Sequence, residues 1–207
     1  MEHFEWYVWN MIRAPSCVEG VHMRKPVVLM FTLSLLSSLC IGLVGPIYPI
    51  YVLKRFSATL LDTGILYAIF CIVAAAFKAP IGKIADKHGK VRVYLAGITL
   101  SIACVLSYIF ASHVAHLYVI EFFSGLSYAL ERPALLALMA DLTTKRNSGF
   151  LMGLFDSAYD LAEAAAAVLS VVIVSKFGFE ALFGMCSCFE ALSGVLAVKS
   201  GGKVKWR

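Results

Sequence analysis

Long apolar stretches recur along almost the whole chain, and they constrain its fold more than any other feature. Each is about as long as the roughly 20 residues that a helix needs to cross the hydrocarbon core of a bilayer. The mean hydropathy is +0.83 and 60% of the residues are hydrophobic, well above a soluble domain. The sequence therefore predicts an all-α polytopic membrane protein with six transmembrane helices. The predicted spans are about 27–53, 60–81, 93–110, 117–140, 150–174 and 181–198.

The basic residues predict the orientation, because cytoplasmic loops carry an excess of Lys and Arg. If the amino terminus is cytoplasmic, the loops and chain ends on the cytoplasmic side hold nearly all the Lys and Arg residues outside the spans. The other side of the membrane holds only Lys54, Arg55 and Lys176. We therefore expect both termini to be cytoplasmic and the protein to lie in the plasma membrane. The net charge of +5 is explained by this clustering, so no nucleic-acid partner is expected.

The predicted bundle leaves two short segments outside the membrane. Residues 1–25 form a cytoplasmic leader, which is either a short interfacial helix rich in Trp and Tyr or a disordered segment. Residues 26–199 form the six-helix transmembrane domain, and residues 200–207 form a basic cytoplasmic tail. The six cysteines show neither a disulfide framework nor metal-ligand spacing, so no metal and no cofactor are expected.

A short basic turn joins the second and third predicted spans. It runs over residues 82–92, and four cations accompany a single carboxylate, Asp86. Two glycines suit a backbone that turns tightly or approaches a neighbour closely. We expect this turn to act as a conformational gate on the cytoplasmic side. The residues assigned to it are Gly82, Asp86, Lys87, Gly89, Lys90 and Arg92.

Ionisable residues inside the fourth and fifth predicted spans are candidates for a polar cavity, because charges within spans are costly and usually functional. Helical spacing places Glu121, Tyr128 and Arg132 on one face of the fourth span. The fifth span carries an acidic stripe of Asp156, Asp160 and Glu163. We expect an ion pair between Arg132 and Asp156, or Arg132 bridging Asp156 and Asp160. Asp160 and Glu163 are the predicted proton or cation sites, whereas Glu190 is expected to face a second subunit.

The basic turn resembles a pattern of the major facilitator superfamily, roughly G-x-(L/I)-(A/S)-D-(R/K)-x-G-(R/K)-(R/K). The resemblance covers about residues 27–198, and it implies a transporter fold that works by alternating access. The run of residues 45–49 is similar to the outer half of helix one in exporters of this family. There Pro46 and Pro49 imply a kink with either a structural or a gating role, and Tyr48 is assigned to the cavity.

Two features depart from that family pattern. The helix-four Arg of the family falls near Glu121, and the Gly-Pro-rich antiporter motif of helix five is replaced by residues 163–167. Family members usually have twelve helices in two halves, and this chain matches one half. The resemblance therefore implies a half-transporter, completed in the bilayer by a second copy as a homodimer or by a complementary six-helix chain.

Three classes of function follow from the sequence. The first is an efflux-like secondary transporter of an unidentified small solute, coupled to H⁺, for which the acidic excess favours a cationic substrate or proton coupling. The alternative is an accessory or remnant six-helix protein that no longer transports. A membrane enzyme is disfavoured, because no His lies within spans four to six and the motif of an intramembrane serine protease is incomplete.

Overall fold

The computed structural model describes residues 25–142 and 148–201 of the 207-residue chain. The predicted leader and basic tail lie almost entirely outside the described residues. Within these two ranges the secondary structure is helical, without a strand. The helices are α1 Lys25–Val44, α2 Tyr48–Phe56, α3 Leu60–His88, α4 Lys90–Phe110, α5 Val114–Leu142 and α6 Ser148–Gly201.

Four helical stretches of the described chain are long and apolar enough to cross a membrane. They are Val27–Phe56, Leu60–His88, Lys90–Phe110 and Gly149–Lys199. Helix α5 is as long as α3, but Glu121, Glu131 and Arg132 interrupt its apolar sequence. The chain is therefore an integral membrane protein by the length and composition of its helices.

Helix α6 is much longer than a single crossing requires. Its 54 residues would extend about 80 Å at 1.5 Å per residue, against a hydrocarbon core of about 30 Å. The backbone leaves helical geometry at Gly178, where φ is 82° and ψ is 178°. A positive φ is readily adopted only by glycine, so this residue allows the change of direction. The predicted fifth and sixth spans lie on the two sides of Gly178.

The helices pack side by side in an order that differs from their order in the chain. Helix α1 packs along α6, α5 lies between α3 and α4, and α4 also contacts α6. Two glycines allow the closest crossings. A Cβ at Gly42 of α1 would meet the backbone of Glu163 on α6, and a Cβ at Gly125 of α5 would lie 2.6 Å from the Phe70 carbonyl oxygen of α3.

The basic turn is much shorter than the sequence predicts. Helix α3 continues through Pro80 to His88, and α4 begins at Lys90, so Gly89 alone separates the two helices. The value of φ at Gly89 is 101°, which a residue with a side chain rarely adopts. Our expectation of a loop over residues 82–92 was wrong in this respect, because apolar packing at Ile81 and Ala85 extends the helix. The predicted gate residues therefore lie on two helix ends rather than on a loop.

The first predicted span is divided into two helices. A turn at residues 45–47 separates α1 from α2, and Pro46 lies within this turn. Pro49 follows at the first turn of α2, where the missing backbone N–H has no intrahelical partner to lose. This break brings Tyr48 to the start of α2 and turns its side chain inward, so that it is 9% exposed.

Candidate functional site

A cavity of about 910 Å³ lies among the helices, and each of the six helices contributes side chains to it. Apolar and aromatic residues form most of its wall, with a smaller number of polar groups. This combination is typical of a pocket for a small molecule. The charged residues in its lining are Lys78, Glu121, Glu131, Arg132, Glu163 and Glu190.

The structure brings most of the predicted cavity residues together and separates two of them. Tyr48, Glu121, Tyr128, Arg132 and Glu163 all line the cavity, as does Pro49. Asp156 and Asp160 have exposed side chains and are not among the lining residues. The acidic stripe of the first half of α6 is therefore divided, since only its Glu163 end reaches the cavity.

Arg132 and Lys78 both lie against aromatic rings. The predicted ion pair of Arg132 is present, with Nη2 3.4 Å from Oδ1 of Asp156. The Arg132 guanidinium also lies 4.4 Å from the centre of the Tyr159 ring, and Lys78 Nζ lies 4.5 Å from the centre of the Tyr128 ring. Both cations of the cavity lining are therefore engaged in cation–π contacts, and Arg132 is also engaged by a carboxylate.

Glu121 is held by a cluster of tyrosines at the α2 side of the cavity. Its side chain is buried, and the Tyr108 hydroxyl donates a hydrogen bond of 2.7 Å to Oε1. The Tyr108 ring in turn lies edge-to-face against those of Tyr48 and Tyr51. The Tyr51 hydroxyl donates to the Tyr108 backbone carbonyl, which fixes the position of α2 against α4. The carboxylate is thus oriented by a rigid aromatic support.

Two further carboxylates in the cavity were not assigned to it from the sequence. Glu131 of α5 accepts a hydrogen bond of 2.9 Å from the Ser127 hydroxyl, one turn earlier on the same helix. Glu190 of α6 is 4% exposed and lines the cavity. The expectation that Glu190 faces a second subunit was wrong, because its side chain is buried within this chain, in a part of α6 that α1 contacts. Its presence within an apolar span was a signal of function, but helical spacing alone could not show its surroundings.

The predicted gate residues surround a second, smaller cavity of about 630 Å³. Asp86, Lys87, Gly89, Lys90 and Arg92 line it, whereas Gly82 does not. Lys90 Nζ lies 2.7 Å from both carboxylate oxygens of Asp141 near the end of α5. This contact joins the start of α4 to the end of α5, so one member of the basic motif has an interhelical partner.

The comparisons with known proteins agree with this architecture. The sequence model of the Major Facilitator Superfamily matches residues 30–202. The chain is 23% identical over 175 residues to an uncharacterized MFS-type transporter, MJ1560, of Methanocaldococcus jannaschii, an alignment that covers 84% of this chain and 45% of that protein. It is 28% identical over 168 residues to the multidrug resistance protein MdtG of Dickeya zeae, covering 79% and 41%. It is 25% identical over 154 residues to the quinolone resistance protein NorA of Staphylococcus aureus, covering 72% and 39%.

The described helices thus form a membrane bundle around a partly polar cavity. The chain belongs to the Major Facilitator Superfamily, since the family model matches most of its length. It spans about half the length, or less, of the curated relatives it matches.

Proposed function

We propose that this protein is part of a secondary active transporter that moves a small solute by alternating access and works in the direction of efflux. The observation that carries the proposal is the cavity of about 910 Å³, which draws side chains from each of the six helices. A cavity built in this way changes shape whenever the helices move relative to one another. Relatives named for multidrug and quinolone resistance support the direction. Nothing in this scheme requires a chemical reaction, so the protein is proposed as a carrier and not an enzyme.

In the proposed topology the chain crosses the plasma membrane six times, and both termini lie in the cytoplasm. In this topology α1 and α2 together make the first crossing, and α6 makes the fifth and sixth on either side of Gly178. The distribution of Lys and Arg supports the orientation. The long, bent α6 supports the count, because its length exceeds twice the thickness of the hydrocarbon core.

A second six-helix bundle would be needed to enclose the solute path. The curated relatives are roughly twice as long as the region they share with this chain. We propose that a second copy, a complementary chain or further sequence of the same protein supplies that bundle. The exposed apolar residues of α3 and of the first half of α6, including Ile72 and Leu161, would lie against it or against lipid.

Protons are the proposed coupling ion. Glu121 and Glu163 line the cavity within the spans, and a carboxylate in such a place can carry a proton between the two sides of the membrane. Asp160, which is exposed in this bundle, would join them only when a second bundle covers α6. Asp86 and the basic residues beside it are proposed to stabilise one closed state of the cytoplasmic gate, with the Lys90–Asp141 contact holding the helix ends.

The proposal is tested by reconstituting the full chain in proteoliposomes and imposing a pH gradient. A fluorescent quinolone is a suitable first substrate because of the name of the Staphylococcus aureus relative. We expect movement that depends on the gradient and is lost when an ionophore collapses it. Glu121→Gln should reduce the rate at least tenfold, whereas Glu180→Gln, at an exposed acid, should not. Absence of gradient-driven flux across a panel of solutes would favour the accessory, non-transporting alternative.

A further inference from the structure

Two buried side-chain oxygens in the described residues lack a hydrogen-bond partner, and both belong to residues that line the large cavity. They are Oη of Tyr48 and Oε2 of Glu190. The two side chains lie on different helices and are 9% and 4% exposed. Burying an unpaired polar group is costly, and most such groups in native structures have a partner. The two oxygens are therefore free to accept or donate a hydrogen bond within the cavity.

None of the ion pairs among the described residues involves Glu190. Cys40 of α1 donates its thiol to the Cys186 carbonyl at 3.4 Å, so this neighbouring thiol makes its bond to the backbone. Glu131 is a second acid that lines the same cavity. A carboxylate buried without a cation is strongly disfavoured, and an incoming cation would remove that penalty.

The net charge of the cavity lining also favours a cationic ligand. Four carboxylates line the cavity, against only two basic side chains, Lys78 and Arg132. Arg132 is already paired with Asp156, and both cations lie over aromatic rings. Because both basic residues already have these partners and are outnumbered by the acids, the lining keeps an acidic excess within the described part of the chain.

The remainder of the wall fits an aromatic molecule. Tyr67, Phe70 and Tyr128 line the cavity on the α3 and α5 side, and Tyr48 lines it on the α2 side. Aromatic faces attract organic cations, and a pocket of this size is within the range for drug-sized ligands. The wall therefore suits an aromatic body, and Glu190 suits a charged nitrogen attached to it.

We propose that Glu190 is the cation-binding residue of the cavity and that it accepts a hydrogen bond from the protonated nitrogen of an aromatic amine. The unpaired Tyr48 hydroxyl provides a second polar contact in the same cavity. This inference rests on the proposed transport function for its physiological meaning, since it names the class of solute that the transporter carries. The binding step itself requires neither a gradient nor a second bundle.

The test compares two probes of almost the same shape. 9-Aminoacridine is cationic at neutral pH, whereas acridine has the same three rings and is neutral. Equilibrium binding of both probes is measured by fluorescence with the full chain in nanodiscs, and binding to empty nanodiscs is subtracted. We expect the wild-type protein to bind 9-aminoacridine at least tenfold more tightly than acridine. Glu190→Gln keeps the shape and removes the charge, so the preference should fall to within twofold.

Two variants control this result. Glu180→Gln removes an exposed acid of the same helix, which pairs with Arg55 outside the cavity, and should keep the full preference. Glu190→Asp retains the charge and should keep most of it. The proposal is overturned if the wild-type protein shows no preference, if Glu190→Gln keeps it, or if Glu190→Asp loses it as completely as Glu190→Gln. Thermal melting of each variant in nanodiscs shows whether lost binding reflects lost folding.

The outcomes separate this inference from the proposed function. Gradient-driven quinolone flux without any cation preference would refute the binding role of Glu190 and leave transport intact. A cation preference that depends on Glu190, in a protein that moves no solute, would support the binding site and refute transport.

Discussion

Two groups of acids lie in the membrane part of this protein, and their environments are opposite. Asp156 and Asp160 on the first half of α6 are exposed at the surface of the bundle. Glu121 of α5 and Glu190 of α6 are at least 95% buried and line the cavity. Both groups lie within spans that the sequence predicts, so that prediction does not distinguish them. The difference shows that a charged residue within a span is a candidate for function, but that its position in the sequence does not tell whether it lines the cavity.

The neighbouring helix decides which acids reach the cavity. Helix α1 crosses α6 where Gly42 meets the Glu163 backbone, so this part of α6 is covered within the chain. Asp156 lies two turns earlier, where Arg132 reaches it at the bundle surface. An acid at the surface of this bundle meets either lipid headgroups, water or a second bundle, whereas the buried acids already have a cavity. We therefore expect the two groups to contribute unequally to transport.

The largest effect is expected from comparing one acid of each group in gradient-driven flux. Glu121→Gln should reduce the rate at least tenfold, because it removes a titratable group in the cavity that Tyr108 orients. Asp160→Asn should change the rate less than twofold if one bundle forms the site. Proteoliposome flux at matched protein density measures both. A loss in Asp160→Asn equal to that in Glu121→Gln would mean that a second bundle brings the exposed acids into the same path.

The crossing of α1 and α6 at Gly42 can be tested by a substitution that prevents the close approach of the two helices. Gly42→Ala places a Cβ against the Glu163 backbone and Ala166, so one helix has to shift. Overpacking of this kind costs about 1–3 kcal/mol. We expect a clear fall in the melting temperature, which fluorescence-detected unfolding in nanodiscs measures. Gly153→Ala on α6 is the matched control, since its Cβ meets nothing within 4 Å. Equal melting temperatures for the two variants would contradict the close crossing at Gly42.

The sequence predicted the class of fold through the length and apolar composition of its segments. It predicted the Arg132–Asp156 pair through the similar depth of the two residues in spans that a short loop joins. It could not predict where helices end when apolar packing continues past a polar motif. Residues 82–88 are helical for this reason, although Gly82 and Gly89 favour a turn over residues 82–92. The surroundings of Glu190 were equally inaccessible, because they depend on α1, a helix about 150 residues earlier in the chain. Periodicity describes one helix, whereas a cavity depends on which helices meet.

A smaller effect is expected at the helix ends that Lys90 and Asp141 join. Lys90 and Asp141 make a short, two-oxygen contact, and their side chains are only 17% and 19% exposed. Lys90→Met and Asp141→Asn should each lower the melting temperature, and the double variant should lose less than the sum. A double-mutant cycle should give a coupling of about 1 kcal/mol, near the upper end for partly exposed ion pairs. Additive effects would show that the contact does not hold α4 to α5.

The smallest effect is expected for the ion pair between Arg132 and the exposed acid Asp156. The Arg132–Asp156 distance is 3.4 Å and the Asp156 side chain is 68% exposed, so little of this chain encloses the pair. We expect a coupling between Arg132→Ala and Asp156→Asn of about 0.2–1 kcal/mol, which is typical of exposed pairs. Arg132→Ala should nevertheless be the more harmful single change, because it also removes the contact with the Tyr159 ring and a cation from the cavity wall. Flux measurements distinguish two roles of Arg132. Rescue of Arg132→Ala by Asp156→Asn would show that Arg132 serves mainly to neutralise the exposed acid. Failure of rescue would instead assign Arg132 to the cavity, on the side of Glu121 rather than of Asp156.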